Sequence, residues 1–230
     1  MFEPIIVGDI HGEISQLESL IKQIGPCTRP FIFLGDYINR GPDSKAVIDF
    51  LIRFTEDGNK TIFLCGNHEW ALLEYLEHGE FDKFASLGGL RTLSSYLPEG
   101  QTGDLRDAMI ERLPISHVRF FKRLLPFFEN DTMVCSHSGV PQDRPDERNF
   151  RDLVLGTHLE LFSKQHKGGK LNICGHYPQT NLKPFYKANF ICLDTGCGTL
   201  PDGILTALFV PEMQYLQVDH TGKSQLKPAL

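Results

Sequence analysis

The chain has 230 residues, 41% of them hydrophobic, and a formal net charge of −6. That length and apolar content fit one large globular domain, and the acidic balance argues against a nucleic-acid partner. No apolar run approaches the ~20 residues of a membrane span, and the N-terminus MFEPIIVGDIHG has neither a basic stretch nor a small-residue cleavage site, so neither a membrane nor export is expected and the cytoplasm is the expected compartment.

Short apolar runs rich in β-branched and aromatic residues punctuate the chain: PIIVG at 4–8, FIFLG at 31–35, TIFLCG at 61–66, TMVCSH at 132–137, LNICGH at 171–176 and FICLD at 190–194. Each has the length of a buried strand. Between the early ones lie helical patterns. ISQLESLIKQIG at 14–25 puts Leu17, Leu20, Ile21 and Ile24 on one face and stops at Gly25-Pro26; KAVIDFLIRF carries Val47, Ile48, Leu51 and Phe54 on its stripe and is capped by Asp43 or Ser44. From Asn67 the rhythm changes. NHEWALLEYLEHG predicts a helix ending at Gly79, and FDKFASLGGLRTLSSYL, DLRDAMIERLP and HVRFFKRLLPFF continue in helical periodicity without a strand signal until about 129. LTALFVPEMQYLQV predicts a terminal hairpin. The expectation is a single α/β domain over 1–230 with a helical insertion at about 79–128.

The six cysteines form no C-x-x-C pair, and Cys65, Cys135, Cys174 and Cys192 lie in or at the end of apolar runs, so they are expected as small buried hydrophobes without disulfides.

The residues at the carboxyl end of each strand carry the chemistry. Gly8-Asp9-Ile10-His11-Gly12 comes after the first, Gly35-Asp36 with Asn39-Arg40-Gly41 after the second, Gly66-Asn67-His68-Glu69 after the third, Ser136-His137-Ser138-Gly139 after the fourth and Gly175-His176 after the fifth. Sites in α/β folds form outside the carboxyl ends of the strands. The donors are three or four histidines, two aspartates and an asparagine, a nitrogen and oxygen set that suits Mn, Fe or Zn without thiolate. Seven donors exceed the needs of one tetrahedral ion; two divalent ions about 3.5–4 Å apart, bridged by one carboxylate, use them all. Taken singly, a D-x-H or a lone arginine is a weak signal; the five motifs in one order are not. The remaining histidines, His78, His117, His158, His166 and His220, lack this context and are expected as ordinary surface or loop residues.

GDIHG, GDYINRGP, GNHE, the SHSG histidine and the GHYP histidine resemble the ordered motifs of the PPP-type metallophosphoesterases, and LDTGC at 193–197 with Gly88-Gly89 resembles the bacterial branch. The resemblance implies an α/β fold, a calcineurin-like metallophosphoesterase β-sandwich flanked by helices. It implies that Asp9 and His11 bind a first metal, that Asp36 bridges two, and that Asn67, His137 and His176 complete the second, with manganese the expected ion and Fe or Zn alternatives. Arg40, with Asn67, would hold phosphate oxygens, and His68, oriented by the residue at 39, would be the general acid. The reaction would be in-line attack on a phosphoester by water activated between the two ions, with positive charge on the phosphoryl oxygens supplied by the metals and Arg40. The leading expected substrate is a phosphorylated protein, on Ser/Thr or Tyr, or a small phosphomonoester; the alternative is a dinucleoside polyphosphate such as diadenosine tetraphosphate. A third class, a non-catalytic metal-binding module, is disfavoured because no ligand position is lost.

Two departures from the family pattern stand out. Most relatives have an aspartate where Asn39 stands; asparagine can hydrogen-bond an imidazole but cannot stabilise its cation by charge. The diadenosine tetraphosphatase-like branch also lacks that carboxylate. Many relatives also place a second phosphate-binding arginine between the last two histidine motifs. Here RDLVLGTHLELF puts Thr157 or His158 near that register, with Arg144, Arg148 and Arg151 close by but displaced.

Overall fold

The computed structural model describes residues 2–141, 149–163 and 169–228. In chain order the elements are β1 (Ile5–Val7), α1 (Ile14–Ile24), β2 (Phe31–Phe33), α2 (Ser44–Glu56), β3 (Thr61–Phe63), α3 (Asn67–His78), α4 (Phe81–Ser86), α5 (Gly89–Tyr96), α6 (Leu105–Arg112), α7 (Ile115–Lys122), β4 (Phe127–Glu129), β5 (Met133–Ser136), α8 (Phe150–Leu155), α9 (Glu160–Ser163), β6 (Leu171–Cys174), β7 (Phe185–Lys187), β8 (Phe190–Cys192), β9 (Leu205–Phe209), β10 (Gln214–Val218) and β11 (Ser224–Pro228).

Two mixed sheets result. One has the order β11-β10-β9-β1-β2-β3, with β1, β2 and β3 parallel and β9 antiparallel to β1; the other has the order β4-β5-β6-β8-β7, with β5, β6 and β8 parallel. The period-2 alternation of the strands decides which layer each side chain enters. Ile6, Ile32, Leu34 and Leu64 from the first sheet meet Met133, Cys135, Ile173, Ile191 and Leu193 from the second in one buried cluster. Their sequence neighbours Ile5, Val7, Phe31 and Phe33 face the opposite way, against Leu17 and Leu20 of α1 and Val47, Ile48 and Leu51 of α2. This is a β-sandwich flanked by helices.

The predicted strands and the early helices form where expected, and Asp43 supplies the cap of α2, its side chain accepting from the Ala46 N–H at 2.9 Å. HVRFFKRLLPFF divides: its first half is α7, whereas Phe127–Glu129 pairs antiparallel with β5. The Pro126 ring stops helix propagation, and the run behind it takes an open sheet edge. Strands β7 and β11 and helices α8 and α9 were not expected; β7 and β11 are mostly exposed and lack an apolar period. All six cysteines are unpaired, and only Cys27 is not buried. Among the described residues no helix is long and apolar enough to cross a membrane.

His117 corrects the expectation of a surface or loop residue; His158 lies in a loop, as expected, but is buried. His117 is 1% exposed, with Nδ1 2.7 Å from the Tyr96 hydroxyl and Nε2 3.0 Å from Asp49 Oδ1, so it joins α7, α5 and α2. His158 is buried with its ring on the Asp152 carbonyl. A histidine whose two nitrogens both find partners is a stable core residue; the signal was absent because those partners lie far away in sequence. His78 and His220 are exposed, and His166 lies outside the described residues.

Candidate active site

The loops after β1, β2, β3, β5 and β6 converge at one end of the sandwich. Asp36 is the hub: its Oδ2 lies 3.6 Å from His11 Nε2, 3.7 Å from His68 Nε2 and 3.3 Å from His137 Nε2. Beside it, Asn67 Oδ1 is 3.0 Å from both His137 Nε2 and His176 Nδ1, and the two histidine nitrogens are 3.1 Å apart. Two overlapping groups are placed as an ion site would be, His11–Asp36–His68 and Asp36–His137–His176, with Asp36 in both, although the Nε2 proton that the Asn39 amide imposes on His68 takes that ring out of the ligand set. Asp9 belongs to neither. Its buried carboxylate accepts the His176 backbone N–H at 3.0 Å.

Glycines let the carboxylates come this close. A Cβ at Gly66 would collide with Asp36 Oδ1, and one at Gly175 with Asp9 Oδ1. The apolar runs end on glycine for this reason.

The tautomers are set from outside the cluster. A carbonyl can only accept, so the Nδ1–H groups of His11 and His137 donate to Ile38 O and Leu34 O, both at 3.0 Å. Each Nε2 is then a bare lone pair aimed at Asp36 Oδ2, itself an acceptor. Asn67 Oδ1 adds a further acceptor against His137. Acceptors 3.0–3.6 Å apart with no proton between them repel unless a cation sits among them, and orientation of a ligating imidazole through its other nitrogen is the usual arrangement around a metal. The donor set therefore fits divalent ions.

Electrostatics agree at two of the histidines. Burial pushes the His11 and His176 imidazoles down to about 4 and about 3, which keeps them neutral and available as ligands. Burial, then Asp194 and Asp36, pushes Asp9 well up. Burial also opposes ionisation of Asp36, but His137 and His68 outweigh it and hold that carboxyl well below the usual range; against burial, Asp36 in turn raises His137 above its ordinary value, so positive charge is favoured beside Asp36.

His68 is 1% exposed, and its Nδ1 lies 2.9 Å from the Asn39 Nδ2. An amide nitrogen can only donate, so His68 Nδ1 is the acceptor and its proton resides on Nε2, facing the cluster. Thr92 of α5 fixes the amide, its Oγ1 donating to Asn39 Oδ1 at 2.6 Å, while Asn39 N–H reaches both Ser44 Oγ and Thr92 Oγ1. Arg40 is partly exposed at the rim; its Nη1 donates to Thr199 Oγ1 at 2.6 Å and its backbone lies against Gly88. At the displaced-arginine register, Thr157 and Arg151 are exposed and His158 is engaged elsewhere, while Arg144 and Arg148 lie outside the described residues.

Three residues escaped sequence reasoning. Glu69 is fully buried and accepts four backbone N–H groups, those of Asp36 (2.8 Å), Tyr37 (2.8 Å), Ile38 (3.3 Å) and Gly66 (3.0 Å), so it holds together the two loops that carry Asp36 and Asn67. Its place directly after His68 in GNHE was the available signal. Thr92 and Thr199 gave none, since each acts through a contact more than fifty residues away in sequence.

A sequence profile of the Calcineurin-like phosphoesterase family matches residues 4–200. The chain belongs to that family. Like other metallophosphoesterases it is a hydrolase, of a family that uses divalent metals. A bis(5'-nucleosyl)-tetraphosphatase PrpE (asymmetrical) of Anoxybacillus flavithermus is 26% identical over 247 aligned positions, covering 94% of either chain. Among solved structures, a candidate diadenosine tetraphosphatase superposes with a TM-score of 0.63 at 21% identity, covering 94% of this chain and 93% of that one. A cold-active protein-tyrosine phosphatase of a psychrophilic Shewanella superposes at 0.59 and 13% identity, covering 99% and 80%. These superpositions show a shared fold.

Proposed function

We propose that this metallophosphoesterase hydrolyses a phosphoanhydride, with a dinucleoside polyphosphate as its substrate class. The observation that carries this reading is the Asn39 amide nitrogen 2.9 Å from His68 Nδ1. A general acid that protonates a serine alkoxide must first be an imidazolium, with N–H on both nitrogens. Here the second N–H would point at another N–H, and at Nδ1 an amide stands where a carboxylate would accept that proton. Neutral His68 still presents Nε2–H as a hydrogen-bond donor. That suffices for a leaving group that departs as an anion, and a nucleotide phosphate, with a second pKa near 6, is one. The relative from Anoxybacillus, which spans 94% of the chain, is named for such a substrate. The phosphoprotein expectation becomes the second reading, in which aryl phosphates outrank phosphoserine because a phenolate leaves more readily than an alkoxide.

In this reading Asp9 and His11 would hold one ion, Asn67, His137 and His176 the other, and Asp36 would serve both; manganese is the ion we expect. Bound there, the ions supply a nucleophile near neutral pH and charge for the phosphoryl oxygens. Arg40, held by Thr199, and the amide nitrogen of Asn67 would grip the remaining oxygens. His68 Nε2–H meets the departing oxygen, and Glu69 keeps the loops in register.

A substrate panel in manganese tests the proposal: diadenosine tetraphosphate, an aryl phosphate and a phosphoserine peptide. The expected order of kcat/KM is the order just given. A phosphoserine peptide turned over fastest would overturn it.

A further inference from the structure

Helix α3 carries more than the ligand at its start. Asn67 turns its carboxamide into the donor cluster, and Trp70, three residues on, lies on the same side about 4.5 Å further along the axis. Burial along the helix matches that geometry. His68, Glu69, Ala71 and Leu72 are buried, while Asn67 and Trp70 are both partly open to solvent, so the open side of α3 runs from the metal-ligand position to the indole. Trp70 meets Phe150, the first residue of α8, with ring centroids 4.9 Å apart at 49°. Phe150 is partly open as well.

The phosphate-facing groups leave a need for this pair. Among the described residues, Arg40 is the arginine held at the donor cluster, and the second arginine register is filled by Thr157 and a buried His158. A substrate with several phosphates and two nucleosides would then draw much of its affinity from its bases. One ribose separates a base from its nearest phosphate, a span on the order of one helical turn (~5.4 Å), comparable to the step from Asn67 to Trp70. Stacking on an aromatic face needs no base-specific hydrogen bonds.

We propose that Trp70 and Phe150 form a stacking platform for one nucleobase of a dinucleoside polyphosphate whose phosphate chain lies across the donor cluster. This rests on the phosphoanhydride reading, deepening it from reaction to recognition. Trp70 is a specificity determinant in this account, outside the group of residues that touch the reacting phosphorus.

The chain has one tryptophan, so its fluorescence reports on Trp70 alone. Adenosine, which has no phosphate, should quench the full-length protein saturably, inorganic phosphate should not, and Phe150→Leu should weaken the adenosine response. In kinetics, Trp70→Ala should lower the ratio of kcat/KM for diadenosine tetraphosphate to that for an aryl phosphate about tenfold, through KM, as expected for loss of one stacked base. Trp70→Phe, which keeps a ring, should restore most of the ratio. Absence of adenosine quenching, or a ratio unchanged in Trp70→Ala, overturns the platform; equal losses on both substrates would mark Trp70 as packing only. A wild type that cleaves the aryl phosphate but not diadenosine tetraphosphate defeats the phosphoanhydride reading instead. The adenosine titration then decides the platform alone, saturable quenching supporting it and none overturning it.

Discussion

His11, Asp36, Asn39, Arg40 and His176 all hold φ between +46° and +70°, a region that disfavours side-chain-bearing residues. Each such residue costs on the order of 1–3 kcal/mol and persists only when its surroundings over-determine it. Glu69 is the main restraint on the β2 loop, through the Asp36, Tyr37 and Ile38 N–H groups it accepts. Glu69→Gln replaces one of two acceptor oxygens with an amide that faces donors. It should cost roughly 2–3 kcal/mol, read as a lower urea midpoint with the slope unchanged; an unaltered midpoint would mean the loops hold their shape unaided. Asn39 invites the opposite kind of substitution. Asn39→Asp should let His68 carry N–H on both nitrogens, because a carboxylate accepts from Nδ1 and stabilises the cation. Turnover of a phosphoserine peptide should then rise by an order of magnitude or more, within the ~10²–10⁴ that general acid catalysis supplies, with a smaller gain on aryl phosphates and least on diadenosine tetraphosphate. Equal gains on all three would show that residue 39 does not tune the acid.

At the scale of elements, helix α5 links the helices between β3 and β4 to the chemistry: Thr92 orients Asn39, and Gly88, just before it, lies against Arg40. The same helix is tied to α7 and α2 by the Tyr96–His117–Asp49 chain. Burial lowers the His117 pKa below its ordinary value despite Asp49. A histidine with a depressed folded pKa contributes stability that is complete above its unfolded value, about 6.5, and is lost as pH falls below it, because the unfolded chain takes up the proton first. The stability gap between the wild type and His117→Gln should therefore be widest above pH 6.5 and narrow toward pH 5, measured by denaturant titration at each pH. A gap independent of pH would contradict the neutral, buried His117. This joint was invisible in sequence, since neither periodicity nor a motif marks a pairing of residues 49, 96 and 117. The strands that carry the site were legible because burial on both faces, complete in β1, β2 and β5, leaves continuous apolar runs, and Asp9, Asp36, Asn67, His137 and His176 because each comes after such a run with a glycine within two residues. Strands β7 and β11, lying at sheet edges and largely exposed, had no such run to reveal them.

For the molecule as a whole, the donor cluster joins the two sheets. Asp9, Asp36 and Asn67 come after strands of the first, His137 and His176 after strands of the second, and their ligand atoms meet at 3.0–3.3 Å across that seam. Ions bound there would link the layers and stabilise the fold by mass action, about 2.7 kcal/mol at a hundredfold excess over Kd. The most direct measurement is a manganese titration of the chelated protein that counts bound ions while tracking thermal stability and turnover, on the wild type and on Asp36→Asn. The wild type should take up two ions per chain, gain thermal stability and recover activity in step. Asp36→Asn should keep its fold by circular dichroism, hold at most one ion tightly and lose nearly all turnover. A wild type fully active after exhaustive chelation, or an Asp36→Asn variant with two ions and undiminished turnover, would contradict a bridged two-ion centre.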